Sequence, residues 1–539
     1  MNNNKNKKLS ITMGILLISG AILFPEKKAT AFDFLRGLER IHRRTPRPPR
    51  STPSPSRVTP RPSDVNPTTQ PHKNIRHSVG REQEKIPHEI TYFGYSKNFL
   101  PIRNHIAAGE MKLAYEAEQR NIKKNGTSFL NSVEAGVLSV DTAHTSDAIE
   151  DFATAENHLK QQMDRTVVEG TAMKYGRELI SVVSGKGDLT EYNGEPYERI
   201  LMLNYKSIAY LLNGERKAYN VTRRAIDWQN IEKKTFELGI KEVKGEVKGQ
   251  KQAASNKKTM SYAPEAFDLI FSQYNRNKSK ATSVKSAYIN PFGFYMAGIV
   301  QEFDSYEDLS LRDNARISYK KALELNPKSK VIQRAIKATK KAPPKNKHLV
   351  HVIVADGFAP EKKTLSFNMN IAGGLVVIKT PLFEPVESPV KTIKIKAGKT
   401  LLATLSPIAD IEAITLRHQL DMLPVEHAKV IASIGRNIGE NLFWNQLGSL
   451  GRAGKLFRES VANPDMRSWM SLPKKISAAR FYVSKRLKKI TIISYDKRGR
   501  ILAKQKVVLN KKSHNFVYAR SIGNTIHAQI NKKLWVKTK

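Results

Sequence analysis

The sequence predicts a multidomain α + β fold, in which α-helical repeats come first and a β-rich, sandwich-like domain with a helical insertion follows. Over residues 88–342, apolar and small residues recur three and four positions apart and glycine and proline are sparse, as in amphipathic helices. After Pro343-Pro344 the apolar period falls to two, which is typical of strands. The chain has 539 residues, 40% hydrophobic and 8% aromatic, enough for two or three folded domains.

The N-terminus has the pattern of a secretory signal peptide over residues 1–31. A lysine-containing start precedes the apolar run Leu9–Phe24, and Ala29-Thr30-Ala31 supplies small residues for cleavage near Ala31. The run would form about 24 Å of helix, which is short of a bilayer core of about 30 Å. We therefore expect export to the periplasm or cell envelope. Retention of this segment as an uncleaved anchor is the alternative.

Residues 32–87 contain a linker in which prolines alternate with arginines, from Arg43 to Pro71. Frequent proline favours extended polyproline II and removes hydrogen-bond donors, so the segment is predicted to be disordered. It is either a solvated spacer or a polycation that adheres to anionic polymer or lipid head groups. The net charge of the chain is +42, and solvated lysine faces on helices are an equally good explanation of that charge.

Four helix pairs are predicted over Phe99–Lys123, Phe129–Met163, Tyr197–Lys234 and Asn290–Lys341, and residues 241–258, rich in Lys and Gly, are predicted to be an exposed excursion. Within them a small residue and an aromatic residue recur at the spacing of tetratricopeptide (TPR) helices, where they pack successive hairpins. The predicted packing residues are Gly136, Ala148, Phe152, Ala155, Ala218, Ala225, Ala315, Tyr319, Ala322 and Pro327. The alternative is an ordinary helical bundle with chance spacing.

Residues 347–539 are predicted to form the β-rich domain. Its predicted strands are Leu349–Ala355, Thr364–Met369, Leu375–Thr380, Lys391–Lys396, Lys489–Tyr495, Ile501–Leu509 and Asn515–Ala519. The segment Asp496–Gly499 predicts a turn that joins two of these strands in a hairpin. A helical insertion is expected around residues 408–457.

Two motifs carry a resemblance to a known family. One is Glu195-Pro196-Tyr197-Glu198-Arg199, and the other contains Asp465, Arg467, Trp469, Leu472 and Pro473. Over residues 88–520 the chain resembles an uncharacterised family of exported bacterial envelope proteins that join TPR-like helices to a β-rich domain. The resemblance implies an envelope assembly factor. Many members look like lipoproteins, whereas this chain has no cysteine.

No motif for catalysis, metal or cofactor is found in the sequence. His348 and His351 lack further ligands, and we expect them to be chance histidines on a strand edge, pointing to opposite faces. Gly448–Lys455 departs from a phosphate-binding loop at Ser449 and Leu456. The Glu195 motif is expected to cap and pack a helix, and an Asp465–Arg467 pair is expected to pin a loop while Trp469 anchors the core.

These observations predict a non-enzymatic envelope scaffold that binds a protein or peptide partner in a helical groove. The first alternative is a polycationic adhesin for anionic envelope polymer or lipid, and the second is a cell-wall enzyme or its activator. Nucleic acid is disfavoured, because an exported chain meets no genome and has no recognition motif. The sequence does not predict an oligomeric state.

Overall fold

Helical hairpins occupy the first part of the chain in a computed structural model that describes residues 88–167, 192–234, 237, 264–371, 374–426, 430 and 464–536. The predictions for residues 1–31, 32–87, 241–258 and 448–455 lie outside these residues, as does most of the predicted insertion beyond residue 426. The helices are α1 Gly94–Ala108, α2 Met111–Asn125, α3 Phe129–Asp141, α4 Thr145–Val167, α5 Pro196–Asn213, α6 218–234, α7 Pro264–Asn275, α8 Lys278–Ala281, α9 Pro291–Asp304, α10 Leu311–Leu325, α11 Lys330–Thr339 and α12 Ile411–Asp421.

The first three predicted helix pairs are confirmed as α1–α2, α3–α4 and α5–α6, whereas the range predicted as a fourth pair, Asn290–Lys341, contains three helices, α9, α10 and α11, because α10 ends at Asn326-Pro327. Local sequence explains where the helices begin and end. Ser128 and Asn290 accept hydrogen bonds from the first-turn N–H groups of α3 and α9, and Pro291 opens α9. Gly109 and Gly214 end α1 and α5 with φ of 78° and 81°, a left-handed conformation that favours glycine.

Strands dominate the second part of the chain and form three sheets. Their bounds are β1 His88–Thr91, β2 Lys347–Asp356, β3 Glu361–Ile371, β4 Gly374–Glu384, β5 Thr392–Ala397, β6 Thr400–Thr404, β7 Ser406–Asp410, β8 Lys475–Ser484, β9 Lys489–Tyr495, β10 Ile501–Val508, β11 Asn515–Ile522 and β12 Thr525–Ile530. The sheet orders are β1-β3-β4, β10-β9-β5-β6 and β12-β11-β2-β8-β7, with β2 and β11 parallel. The seven predicted strands and the β9–β10 hairpin are confirmed.

Two sequence predictions about this region are wrong. The segment 408–410 belongs to strand β7, and helix α12 starts only at Ile411, where Asp410 caps it. His348 and His351 lie on β2, the middle strand of five, and both are buried. Both histidines are therefore interior residues of the sheet. As expected, their side chains contact different partners: His348 Nε2 lies 2.9 Å from the Lys511 carbonyl oxygen, and His351 Nε2 lies 3.2 Å from Glu302 Oε2.

The five-stranded sheet is the middle layer of the fold. Alternate residues such as Leu349 and Ile353 join the core of the helical hairpins, whereas Val350 and Val352 join a second core with Ile395 and Ile492 of the four-stranded sheet. A strand shows its alternate side chains to opposite faces, which explains this division. The order of layers is helices, five-stranded sheet, four-stranded sheet.

The helices and the five-stranded sheet share one core. The larger cluster of buried apolar residues includes residues of both, and the described residues from His88 onward belong to one compact unit. Strand β1, which precedes the helices, pairs with β3. The change between residues 342 and 347 therefore separates helices from strands without separating two cores. The architecture is mixed α + β, with helices towards the N-terminus and strands towards the C-terminus.

Candidate functional site

The predicted packing residues hold the hairpins together. A side-chain carbon at Gly136 would lie 2.6 Å from the Phe152 ring, and Gly298 lies equally tightly against Tyr319. The alanines of the predicted set and both aromatic residues are fully buried: Ala148, Phe152, Ala155, Ala218, Ala225, Ala315, Tyr319 and Ala322. Pro327 follows the end of α10 and is exposed. None of these residues presents a reactive or ligand-binding group to solvent.

The Glu195 motif caps helix α5, as expected. Glu195 and Glu198 form a reciprocal capping box, and Pro196 lies at the first helical position. Arg199 donates two hydrogen bonds to Glu232, of 2.6 and 2.7 Å. Tyr197 is buried in the core. Burial alone would raise the pKa of Glu195, but the His418 ring and Lys362 outweigh it and hold this pKa well below its usual range.

The second motif forms a loop before β8, again as expected. Asp465 accepts hydrogen bonds from the Arg467 side chain at 2.7 to 3.1 Å. Trp469 is 2% exposed and donates its indole N–H to the Ser471 hydroxyl at 3.0 Å. Leu472 and Pro473 are also buried.

Two buried glutamates bring these motifs together. Glu198 accepts a hydrogen bond from the backbone N–H of Trp469 at 2.8 Å. Glu134 of α3 accepts hydrogen bonds from the backbone N–H groups of Met470 and Ser471 at 2.6 and 3.1 Å. Burial raises the pKa of Glu198 to about 6, and it raises that of Glu134 well above the usual range. Glu134 is absent from the sequence predictions, although a carboxylate between the apolar residues Val133 and Ala135 is a detectable signal. Because Glu134, Glu198 and Trp469 are all buried, this junction is a structural latch.

A second buried polar centre joins the helices to the sheet. Glu302 of α9 binds Arg480 of β8 through an ion pair and accepts the Tyr319 hydroxyl at 3.0 Å. The His351 ring contacts the same carboxylate, with Nε2 at 3.2 Å from Glu302 Oε2. In the part of the chain that the structure describes, no group of three or more His, Asp or Glu side chains could hold a metal ion.

The exposed face of the four-stranded sheet is the strongest candidate for a functional site. Three of its strands, β5, β9 and the edge strand β10, carry five partly or fully exposed lysines on the side away from the core: Lys394, Lys396, Lys489, Lys504 and Lys506. We call these five residues the lysine face. They are partly or fully exposed, whereas the alternate residues Ile395 and Ile492 are buried. Strands β5, β6, β9 and β10 contain no Asp or Glu.

Strand pairing places the lysines on both sides of β9. Lys394 and Lys504 both pair with Ile493, and Lys396 and Lys506 both pair with Thr491. Strands lie about 4.8 Å apart and alternate residues about 6.7 Å apart. The backbone positions of these four lysines therefore form a rectangle of roughly 10 by 7 Å. The sequence predicted these strands as β structure, but the lysine face was not among the predicted features.

The turns around the lysine face add positive charge. Residues 485–512 contain eleven Lys and Arg residues and a single carboxylate, Asp496. Asp496 accepts hydrogen bonds from the Arg498 and Arg500 N–H groups and from the Arg500 side chain at 2.7 to 2.9 Å. Burial opposes ionisation of Asp496, but these hydrogen bonds outweigh it and lower its pKa. The one carboxylate of this segment is thus already neutralised.

The helical region offers a smaller basic feature. A shallow cleft of about 450 Å³ lies between α5 and α6, lined by Tyr210, Lys217, Asn220, Val221, Arg223, Arg224 and Asp227. Arg224 is paired with the buried Glu156 at 2.7 Å. Large apolar side chains of the helical region are exposed singly, as at Leu113 and Ile317. Within the described ranges no helix is long and apolar enough to cross a membrane.

No family model, no curated protein and no solved structure matches this chain. Its function therefore has to be inferred from its own residues and their geometry.

Proposed function

We propose that this protein is a non-enzymatic binding protein of the cell envelope that adheres to an anionic polymer through the lysine face. The observation that carries the proposal is a sheet surface with five exposed lysines and no carboxylate on its four strands. The TPR-like hairpins and the sandwich-like strands form the support that presents this surface. Glu134 and Glu198 join the two parts by their hydrogen bonds to the loop at Trp469.

The energy of such adhesion comes from charge. Near an anionic surface each Lys or Arg contributes about 1 kcal/mol, within a Debye length of about 8 Å at physiological salt. A polyanion also releases counterions when it is neutralised, so its affinity falls linearly with salt on a log–log scale. Four lysines that act together would strengthen binding by roughly 4 kcal/mol, about a thousandfold. The positively charged turns add to this attraction.

The signal-peptide pattern of residues 1–31 supports an envelope location. A secreted polycation meets the anionic polymers and lipids of the envelope and is separated from nucleic acid by the inner membrane. The Pro/Arg segment Arg43–Pro71 would extend the same chemistry along the chain. Cell fractionation of the expressing bacterium should recover a chain that starts close to residue 32 in the envelope or periplasmic fraction. Recovery of the chain with Met1 in the cytoplasm would overturn the proposed location.

The binding test uses the purified full chain on beads that carry linear polyphosphate, over a series of NaCl concentrations. In a variant with four Lys→Gln substitutions we expect the slope of log affinity against log salt to become less steep by about 3. Each lost phosphate contact removes roughly 0.7 from that slope. The variant is K394Q/K396Q/K504Q/K506Q. The matched control removes the same charge from exposed helix lysines and should keep nearly the wild-type slope: K320Q/K321Q/K337Q/K340Q.

Three results would contradict the proposal. One is an equal loss of binding in the two variants with four substitutions each, which would mean that net charge alone matters. Another is binding that is insensitive to salt. The third is tight binding to vesicles that contain phosphatidylglycerol with no binding to polyphosphate, which would make lipid the partner.

A second candidate function is docking of an acidic peptide at the α5–α6 cleft. The observation that favours it is the combination of Tyr210 with exposed Lys217 and Arg223 along one side of α6. K217E/R223E should abolish capture of an acidic peptide library if this cleft is the docking site. K320E/K321E is the control, and equal capture by the two variants would exclude the cleft.

A further inference from the structure

We infer that the lysine face takes a linear, unbranched polyanion as a single extended chain that lies along β9. This inference rests on the proposed function and adds the class of polymer and its orientation. The feature that carries it is a trough whose floor is β9 and whose sides are the lysines of β5 and β10.

The floor of the trough is neutral. Thr491, Ile493 and Tyr495 point outward from β9, between Lys394 and Lys396 on one side and Lys504 and Lys506 on the other. Ile493 is only 7% exposed, since it lies between two lysine stems. The Lys394 ammonium lies 5.1 Å from the centre of the Tyr495 ring. Lysines thus stand along both sides of a strip that carries no charge of its own.

The width of the trough selects the form of the ligand. Two strand spacings separate the lysine rows by about 10 Å, which admits one extended chain with its anionic groups turned alternately to each side. A single phosphate ion would reach one pair of lysines at most. A chain along β9 can contact both rows and then Lys489, over the roughly 13 Å that separate Ile493 from Lys489 along the strand.

A bilayer fits the face less well. Membrane-surface binding combines basic residues with apolar side chains that enter the lipid. In the middle of the face the apolar residue, Ile493, is covered. The exposed apolar residues Leu401, Ile501 and Val508 lie on the two edge strands of the sheet, β6 and β10, outside the lysine rows or at their ends.

The decisive comparison places one negative charge inside or outside the trough of the full chain. Thr491→Glu puts a carboxylate between Lys396 and Lys506, whereas Thr404→Glu puts the same charge on the outer strand, beside Lys394 alone. We expect T491E to weaken binding of long linear polyphosphate at least tenfold and T404E to weaken it less than threefold. The variant Thr491→Gln carries a neutral side chain of the same size as glutamate and should bind polyphosphate within threefold of wild type. It shows whether the charge or the bulk of the new side chain is responsible.

A length series in the wild-type protein gives a second, independent measure. Affinity should rise from inorganic phosphate through short oligophosphates until the chain spans about 13 Å, the length over which the lysines extend, and then level off apart from a statistical factor. Full affinity for inorganic phosphate or pyrophosphate would overturn the inference, and so would equal weakening by T491E and T404E. So would anionic vesicles that compete as well as polyphosphate.

The two proposals fail in different ways. If the wild-type chain binds no polyanion, the proposed function fails and the trough has no role. If the chain binds polyphosphate with the expected salt dependence but ignores both chain length and the position of the added charge, adhesion stands and the extended mode along β9 is wrong. If the melting temperature of T491E lies well below that of wild type, the substitution has disturbed the fold. The length series in the wild-type protein then decides on the extended binding mode alone.

Discussion

Substitution of Glu302 by glutamine tests how the helices are held to the sheet. Glu302 is fully buried, with Arg480, His351 and the Tyr319 hydroxyl around its carboxylate. Glu302→Gln keeps the shape of the side chain but removes its negative charge. Arg480, which is itself 9% exposed, would then be a buried cation without its counterion.

The expected cost is about 3–5 kcal/mol, the range for removal of one partner from a buried ion pair. A charged group left without a partner loses hydration that the protein no longer replaces. The sign of the pH dependence follows from the same contacts. Burial would raise the pKa of Glu302, but Arg480 and His351 outweigh it and hold this pKa below its usual range. Its contribution is therefore present above about pH 4.3, the unfolded value, and is lost as the pH falls further.

Urea denaturation at a series of pH values measures both effects. At pH 7 the unfolding midpoint of E302Q should lie roughly 1 M below that of wild type, for a slope of about 3 kcal/mol per M. The difference should shrink below about pH 4. Glu324→Gln, on an exposed face of α10, is the matched control and should stay within about 0.5 kcal/mol of wild type. A cost for E302Q below about 1 kcal/mol, or one that does not change with pH, would refute the role assigned to Glu302.

Three further predictions concern the packing of the helices and the motif loop. Gly298→Ala should lower the free energy of unfolding by about 1–2 kcal/mol, because its new methyl group meets the Tyr319 ring and overpacking exceeds the gain in helix propensity; a raised melting temperature would contradict this. Burial raises the pKa of Glu118 to about 8, so Glu118 should lower the stability of the wild type by about 1.4 kcal/mol for each pH unit between about pH 4.5 and 8. In Glu118→Gln the decline measured in a urea series should become shallower by that amount, and an unchanged decline would exclude the contribution of Glu118. Trp469→Ala should cost about 3–5 kcal/mol and Trp469→Phe clearly less, whereas equal melting of both with wild type would mean that Trp469 does not anchor the loop.

The helix pairs could be predicted because their signals are local. Small residues and aromatic residues at helical spacing identified α3–α4 and α9–α10, and Gly214 marked the end of α5. The same reasoning predicted β9 and β10, in which one face is solvated and burial alternates along the chain.

The strands β1, β6, β7, β8 and β12 were not predicted, and for β7 and β8 the physical reason is clear. The first residues of β8 are buried on both faces, between two sheet neighbours and two cores, so its apolar residues do not alternate. Strand β7 continues directly into α12, and its apolar residues were assigned to the helix that follows. Glu134 was missed because its partners, the N–H groups of Met470 and Ser471, lie more than three hundred positions further along the chain.

What the sequence by itself determined is the order of helices and strands, the excess of positive charge, and the residues able to pack successive hairpins. These follow from neighbours three or four positions apart on a helix and two apart on a strand. Only the tertiary structure decided that the helices and the five-stranded sheet share one core, that Glu198 holds the Trp469 loop, and that Lys394 and Lys504 stand on either side of β9. Pairing across a sheet joins residues about a hundred positions apart, and the burial gained when whole faces meet selects that pairing.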